Sequence, residues 1–207
     1  MIKGIHAWAV AVTLGILLLF QVGCAGRSKP SSFYVLSPVA VTELELKKAT
    51  GGSSDIAIGI FPVSLPKYLK KSQIVTRTGN NELHLAEYNR WAGKIEEDIG
   101  RVIAENLSHL LATDKVLSYP ALDIIALDYT LKIDISRFEG RLGGEIEFIA
   151  RWAVFDGQGN TLYGVKATRI IEPTQGRGYS EIVAAQSRAL AAFSREVADA
   201  IVELAGS

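Results

Sequence analysis

Cysteine is nearly absent: the chain of 207 residues holds one, Cys24, together with three histidines. No intrachain disulfide can form. A structural zinc site, which takes four Cys or His ligands, is nearly excluded. Charge of one sign is not in excess either, with 22 Lys and Arg against 22 Asp and Glu. A nucleic-acid-binding chain would carry a basic surplus to neutralise phosphates, so that class finds no support. Catalytic signatures are missing as well. There is no Gly-x-Ser-x-Gly elbow, and no serine has an evident base beside it. Gly157-x-Gly159 joins two strand-like runs and opens no helix. Gly176-x-Gly178 precedes a helix but lacks the Lys and Ser/Thr of a phosphate loop. What remains is an ordinary globular composition, 48% apolar and 21% charged, long enough for one large domain with a core.

The position of the single cysteine is informative. Residues 1–23 carry Lys3, then an apolar or neutral run from Ile5 to Phe20 interrupted only by His6, then Gln21-Val22-Gly23 before Cys24. This reads as a secretory signal peptide ending in a lipobox-like cut site. The apolar run is short for a bilayer span of about 20 residues. A thiol at the cut site can take a diacylglycerol thioether, and the new amine an N-acyl chain. Two or more chains anchor stably where one holds only marginally. These covalent lipids are the only cofactor expected. Ala25 follows, with no Asp to signal inner-membrane retention, so the expected location is the periplasmic face of the outer membrane. Residues 24–32 form the lipidated cysteine and a polar tether. Its seven flexible residues, 26–32, reach about 15 Å root-mean-square as a coil. Residues 33–207 form the single domain.

Periodicity organises that domain. Phe33–Leu36 and Asp55–Phe61 read as short strands, with a loop over residues 42–54 between them. Gln73–Arg77 and Glu82–Ala86 suit a hairpin across Gly79-Asn80-Asn81. Ile95, Ile99, Val102, Ile103, Leu107, Leu110 and Leu111 mark one face of a helix over about 93–112. Val116–Tyr119 is a short strand. Leu127, Tyr129, Leu131, Ile133 and Ile135 alternate with polar residues, and strands over about 146–154 and 162–171 complete an antiparallel meander. A last helix runs from about Ser180, read as its N-cap, to Leu204, with Gln186 the polar exception on its buried side. The fold class expected is α/β: a mixed sheet with an antiparallel meander, flanked by two main helices.

Few residues stand out as functional. His84 and His109 lack partners at metal spacing and read as surface residues. Glu96, Glu97 and Asp98 suit the positive end of a helix dipole better than acid catalysis. Lys67, Lys70 and Lys71 surround Tyr68 and Leu69 in a solvated loop that offers a contact to anionic headgroups. Tyr88-Asn89-Arg90-Trp91 sets two aromatics and an arginine just before the first helix. Trp91 there serves as a staple onto the sheet, and Tyr88, Arg90 and Trp91 together are a candidate partner surface. Lys67 and Tyr68 join that candidate surface.

Several of these runs occur in a set order: Phe33-Tyr34-Val35-Leu36, Ile58-Gly59-Ile60-Phe61-Pro62-Val63, Leu65-Pro66-Lys67-Tyr68-Leu69, and Tyr88-x-Arg90-Trp91-Ala92. Tyr119-Pro120, Asp128-Tyr129-x-Leu131-x-Ile133-x-Ile135-x-x-Phe138-x-Gly140 and Trp152-x-Val154-x-Asp156-x-x-Gly159 follow. Together, across residues 33–204, they resemble the PqiC/YmbA family of ABC-type transport auxiliary lipoproteins. The resemblance implies a periplasmic α/β domain similar to the TolB N-terminal domain and a non-enzymatic role in lipid transport. The partners it implies are an MCE-domain protein and, beyond it, a permease with its ATPase. A ring or other homo-oligomer fits such a partner. The alternative carried beside it is a periplasmic lipid carrier with an apolar pocket between sheet and helices.

Overall fold

The computed structural model describes residues 29–38 and 55–206. The signal peptide, Cys24 and the loop expected over residues 42–54 lie outside the described residues. Ser31–Ser207 is one unit. Its described elements are β1 (Ser32–Tyr34), β2 (Ile58–Ile60), β3 (Gln73–Arg77), β4 (Leu83–Trp91), α1 (Ile95–Leu110), β5 (Val116–Ser118), β6 (Tyr129–Gly140), β7 (Glu145–Asp156), β8 (Thr161–Pro173) and α2 (Tyr179–Ala205).

The strands divide into two mixed sheets. The larger has the order β5-β2-β6-β7-β8, with β2 parallel to both β5 and β6 and the rest antiparallel. The smaller has the order β1-β4-β3, with β1 parallel and β3 antiparallel to β4. The chain is therefore α/β with two main helices around an antiparallel meander. The second sheet arises because β4 runs nine residues to Trp91 and collects β1 from far upstream. Tyr88-Asn89-Arg90-Trp91 is thus the end of a strand, where the sequence suggested a turn into the helix.

The helices cover one face of the larger sheet. They pack on each other, α1 beside β5 and α2 across β6, β7 and β8. The helix-facing set of β6 is Leu131, Ile133 and Ile135, all buried. A register shift between Ile135 and Arg137 then inserts one residue, a β-bulge that moves the inward phase onto Phe138 and Gly140. On β7 the inward set is Ile146, Phe148, Ala150, Trp152 and Val154. Aromatic rings fill the centre. Phe148 lies 5.8 Å from Phe138 and 5.0 Å from Phe193 of α2, and Trp152 meets Phe193 edge-on at 6.0 Å. Such contacts add about 0.5–1.5 kcal/mol each to the burial of the rings.

Polar pairs fix the helices over this core. Gln186 Nε2 donates to Phe138 O at 2.6 Å, and Asn106 Nδ2 on α1 donates to Ser194 Oγ on α2 at 3.2 Å. Trp152 Nε1 donates to Thr168 Oγ1, which donates to Glu196 Oε2, both at 2.9 Å. At the start of the domain, Leu36 N donates to Asp98 Oδ2 at 2.7 Å and Arg101 Nη2 donates to Leu36 O at 3.0 Å. The N-cap of α2 is Gly178 and carries no side-chain cap bond; Ser180 lies inside the first turn. Helix α1 likewise starts at Ile95 after Lys94, with Glu96, Glu97 and Asp98 supplying charge to its first turn.

Two substitutions test this packing. Phe193→Ala removes the ring that touches both Phe148 and Trp152, and is expected to cost about 3–5 kcal/mol in urea unfolding. A Cβ at Gly140 would come within 2.1 Å of Glu145 O. Gly140→Ala is therefore expected to force the β6–β7 turn apart and lower the unfolding midpoint.

Candidate functional site

The face of the larger sheet opposite the helices carries the candidate features, which follow one another along β6. The first is an open groove of about 550 Å³. Phe61, Lys132, Arg151, Phe155 and Val165 line it among others. Val165 is 76% exposed and Phe61 38%. Lys132 Nζ sits 4.5 Å from the Phe155 ring centroid and 5.2 Å from that of Phe61, so its ammonium group bridges two aromatic faces. The groove is apolar at its centre and cationic at its margin, with Asp134 the acid in its lining. It contains no nucleophile paired with a base.

Beyond the bulge, the same face of β6 presents Arg137 and Glu139. Glu139 is fully buried. Arg77 of β3 donates to its Oε1 through Nε at 3.1 Å and Nη2 at 2.5 Å. Tyr68 OH and the Phe138 backbone N each donate to Oε2 at 3.1 Å. Arg137 Nε lies 3.4 Å from Oε1, and the other end of that guanidinium pairs with Glu147. Arg169 on β8 closes the chain of charges on Glu147 at 2.6 Å. Burial and the Glu139 carboxylate beside it push the Tyr68 phenol up to about 12. The space above, about 540 Å³, also admits Asn80, Arg141 and Glu145. Its positive and negative groups are equally matched, and Arg137 Nε is buried there without a hydrogen-bond partner. The Arg77–Glu139 pair joins the two sheets.

A third, smaller crevice of about 210 Å³ lies on the other side of Phe61 and Pro62. Lys70, Glu96, Glu97 and Tyr119 border it. Glu97 is paired with Lys94 at 2.7 Å, and Asp98 with Arg101 at 2.5 Å. Among the described residues, no group of three His, Cys, Asp or Glu could hold a metal ion. His84 is exposed on β4 and His109 half-buried in the last turn of α1.

The residues singled out from sequence are placed as follows. Trp91 is 7% exposed and belongs to the core. Tyr88 and Arg90 are half-buried on β4, and Arg90 Nε donates to Glu87 O at 3.3 Å. Lys67 is exposed, whereas Tyr68 turns to Glu139. The two groups adjoin, because Trp91 N donates to Ser72 O at 2.8 Å and Arg90 is in register with Gln73. They do not form one surface, since Trp91 and Tyr68 point into the domain. Sequence reading missed Glu139 and the Phe61–Lys132–Phe155 stack. Nothing local marks Glu139, whose guanidinium partner Arg77 stands 62 residues away. The Asp-Tyr-x-Leu-x-Ile alternation did mark Lys132 as outward-facing, but its aromatic neighbours come from two other elements.

The described residues thus form a two-sheet α/β domain with an antiparallel meander and an open groove on its outer face. Residues 34–198 match the family described as ABC-type transport auxiliary lipoprotein component, and the chain belongs to that family. Among named relatives, it is 25% identical over 169 residues to the intermembrane transport lipoprotein PqiC of Escherichia coli strain K12 and equally to that of Shigella flexneri. The match covers 81% of this chain and 84% of each relative. Two crystal structures share the fold. One, of a protein without assigned function, has a TM-score of 0.68 at 22% identity, covering 84% of this chain and 99% of the other. The second, from Xanthomonas campestris, has a TM-score of 0.66 at 14% identity, covering 85% and 97%.

Removing the buried carboxylate leaves Arg77 without its ion-pair partner and Arg137 with Glu147 alone. Glu139→Gln is expected to cost about 3–5 kcal/mol in chemical denaturation. Tyr68 titrates higher in the folded chain than in the unfolded one. The folded state therefore holds the extra proton between pH 10 and about 12, and stability falls as pH rises through that window. An absorbance titration of phenolate is expected to show a tyrosine titrating at about 12, and Tyr68→Phe is expected to remove it.

Proposed function

We propose that this chain is a lipid-anchored, non-enzymatic auxiliary subunit of an MCE/ABC-type lipid transport system that supports membrane integrity. Diacylglycerol and an N-acyl chain on Cys24 hold it at the periplasmic face of the outer membrane. The observation that carries the reading is the family match over residues 34–198. The relative named as an intermembrane transport lipoprotein supports transport between membranes as the setting. An open groove suits a docking role: an apolar centre of Phe61, Phe155 and Val165 within a polar, charged margin resembles a protein–protein interface. The MCE-domain protein is the partner assigned to it. Tyr88 and Lys67 lie outside the groove and offer separate points of contact, with Trp91 and Tyr68 holding their backbone from within. A ring or other homo-oligomer is compatible with this role.

The carrier alternative asks for an apolar cavity between sheet and helices. That space holds Phe138, Phe148, Trp152 and Phe193, packed at ring-contact distances. The docking reading is therefore preferred.

The test is a pull-down of the tagged protein from detergent-solubilised native membranes, with proteins and lipids both read by mass spectrometry. An MCE-domain protein is expected in the eluate. Phospholipid in stoichiometric amount without any protein partner would sink the docking reading in favour of the carrier. Cys24→Ser is expected to move the protein from the membrane fraction to the soluble one. Phe61→Ser combined with Val165→Asp is expected to reduce recovery of the partner severalfold while leaving the thermal midpoint nearly unchanged.

A further inference from the structure

Strand β1 is an edge strand with a bare outer face. Tyr34, its last residue, donates from its hydroxyl to Asn89 Oδ1 at 2.9 Å, and Leu36 just beyond the strand is 1% exposed, so this side turns inward. Phe33 and Val35 alternate with them and stand 66% and 56% exposed. Phe33 is in register with Arg90, and Arg90 with Gln73, so one row crosses the small sheet. Residues in register project from the same face of a sheet, which puts Arg90 beside Phe33. Nothing else in the described domain covers this aromatic and its aliphatic neighbour.

The chain itself says what lies near them. Phe33 follows Cys24 by nine residues, and after Val35 the next exposed large apolar side chain along the described sequence is Phe61. Nine residues reach about 30 Å when fully extended, and roughly 15–18 Å as a flexible coil. With Cys24 in the bilayer, the Phe33 face is held at a short leash from lipid headgroups. Two exposed side chains bind a membrane poorly by themselves. A short tether supplies an effective concentration in the millimolar range, and a weak contact then becomes populated.

We infer that the Phe33–Val35 face of β1 rests in the headgroup region of the membrane that holds the anchor, with Arg90 toward lipid phosphates, and so orients the domain. This rests on the lipidation of Cys24 proposed above. The occupant is a lipid surface. A second copy of the chain is the competing outcome.

The experiment uses the full, processed protein reconstituted in phosphatidylethanolamine–phosphatidylglycerol vesicles containing acyl-brominated lipid. Phe33→Trp keeps an exposed aromatic in place, and Val165→Trp is the control on the other sheet. The native Trp91 and Trp152 are buried and give a constant background. Phe33→Trp is expected to show a blue-shifted emission and severalfold stronger bromine quenching than Val165→Trp. Equal quenching of the two, with mass spectrometry finding acyl chains on Cys24, overturns the oriented contact and leaves the anchor standing. Absence of acyl chains overturns the anchor and this inference with it. Because Cys24 is consumed by acylation, Val35→Cys supplies a single free thiol. Its oxidation to disulfide-linked dimers in the vesicles overturns the lipid contact in favour of a second copy, whereas a spin label there immobilised at headgroup depth supports it.

Discussion

A carboxylate shut off from water stands where the two sheets meet, and their arrangement depends on it. Removing a charge from water costs several kcal/mol unless geometry compensates. Glu139 is compensated on both oxygens, by Arg77 from the small sheet and by Tyr68 and the Phe138 amide. Strand β3 and the segment bearing Tyr68 therefore have to lie across that end of β6. Arg137, Glu147 and Arg169 carry the alternation of charge onward over β7 and β8. One end of the sheet's outer face is closed by ion pairs. The other end, past the bulge, stays open as the apolar groove.

The opposite face is closed by aromatic packing, and the two closures together separate rigidity from recognition. Side chains that hold the domain are buried, and most of their polar groups are paired with one another. Those left exposed at the groove, Phe61, Val165 and Lys132, contribute little to holding it. A surface of this kind can change its partner without endangering the fold.

Much of the fold was legible because it is periodic. The inward sets of β6 and β7 read directly from alternation, and α1 and α2 from helical spacing. The bulge was not legible. An alternation that ends at Ile135 looks like the end of a strand, yet the register shift carries β6 on to Gly140 in the opposite phase. The small sheet was hidden for a different reason. Its hairpin is local and was expected, but its third strand is parallel and comes from ahead of a long connection. Trp91, read as a staple of the helix onto the sheet, is buried in the core. The surface imagined around it is smaller than its composition suggested, because Tyr68 answers to a carboxylate that no nearby residue announces. Cysteine position and motif order pointed to the family, whereas the groove is assembled from four elements and has no sequence signature.

The way the chain enters the domain has a mechanical consequence. Strand β1 is joined to β4 by only three residue pairs, and it runs parallel to its neighbour. Tension applied from the amino-terminal side along β1 would load those pairs in shear, all at once, and would not peel them one by one. Behind them, Asp98 and Arg101 grip the amide and carbonyl of Leu36 from the first turns of α1. A pull would thus be passed to a sixteen-residue helix seated in the core. The domain is fastened at the point where a leash would tug hardest.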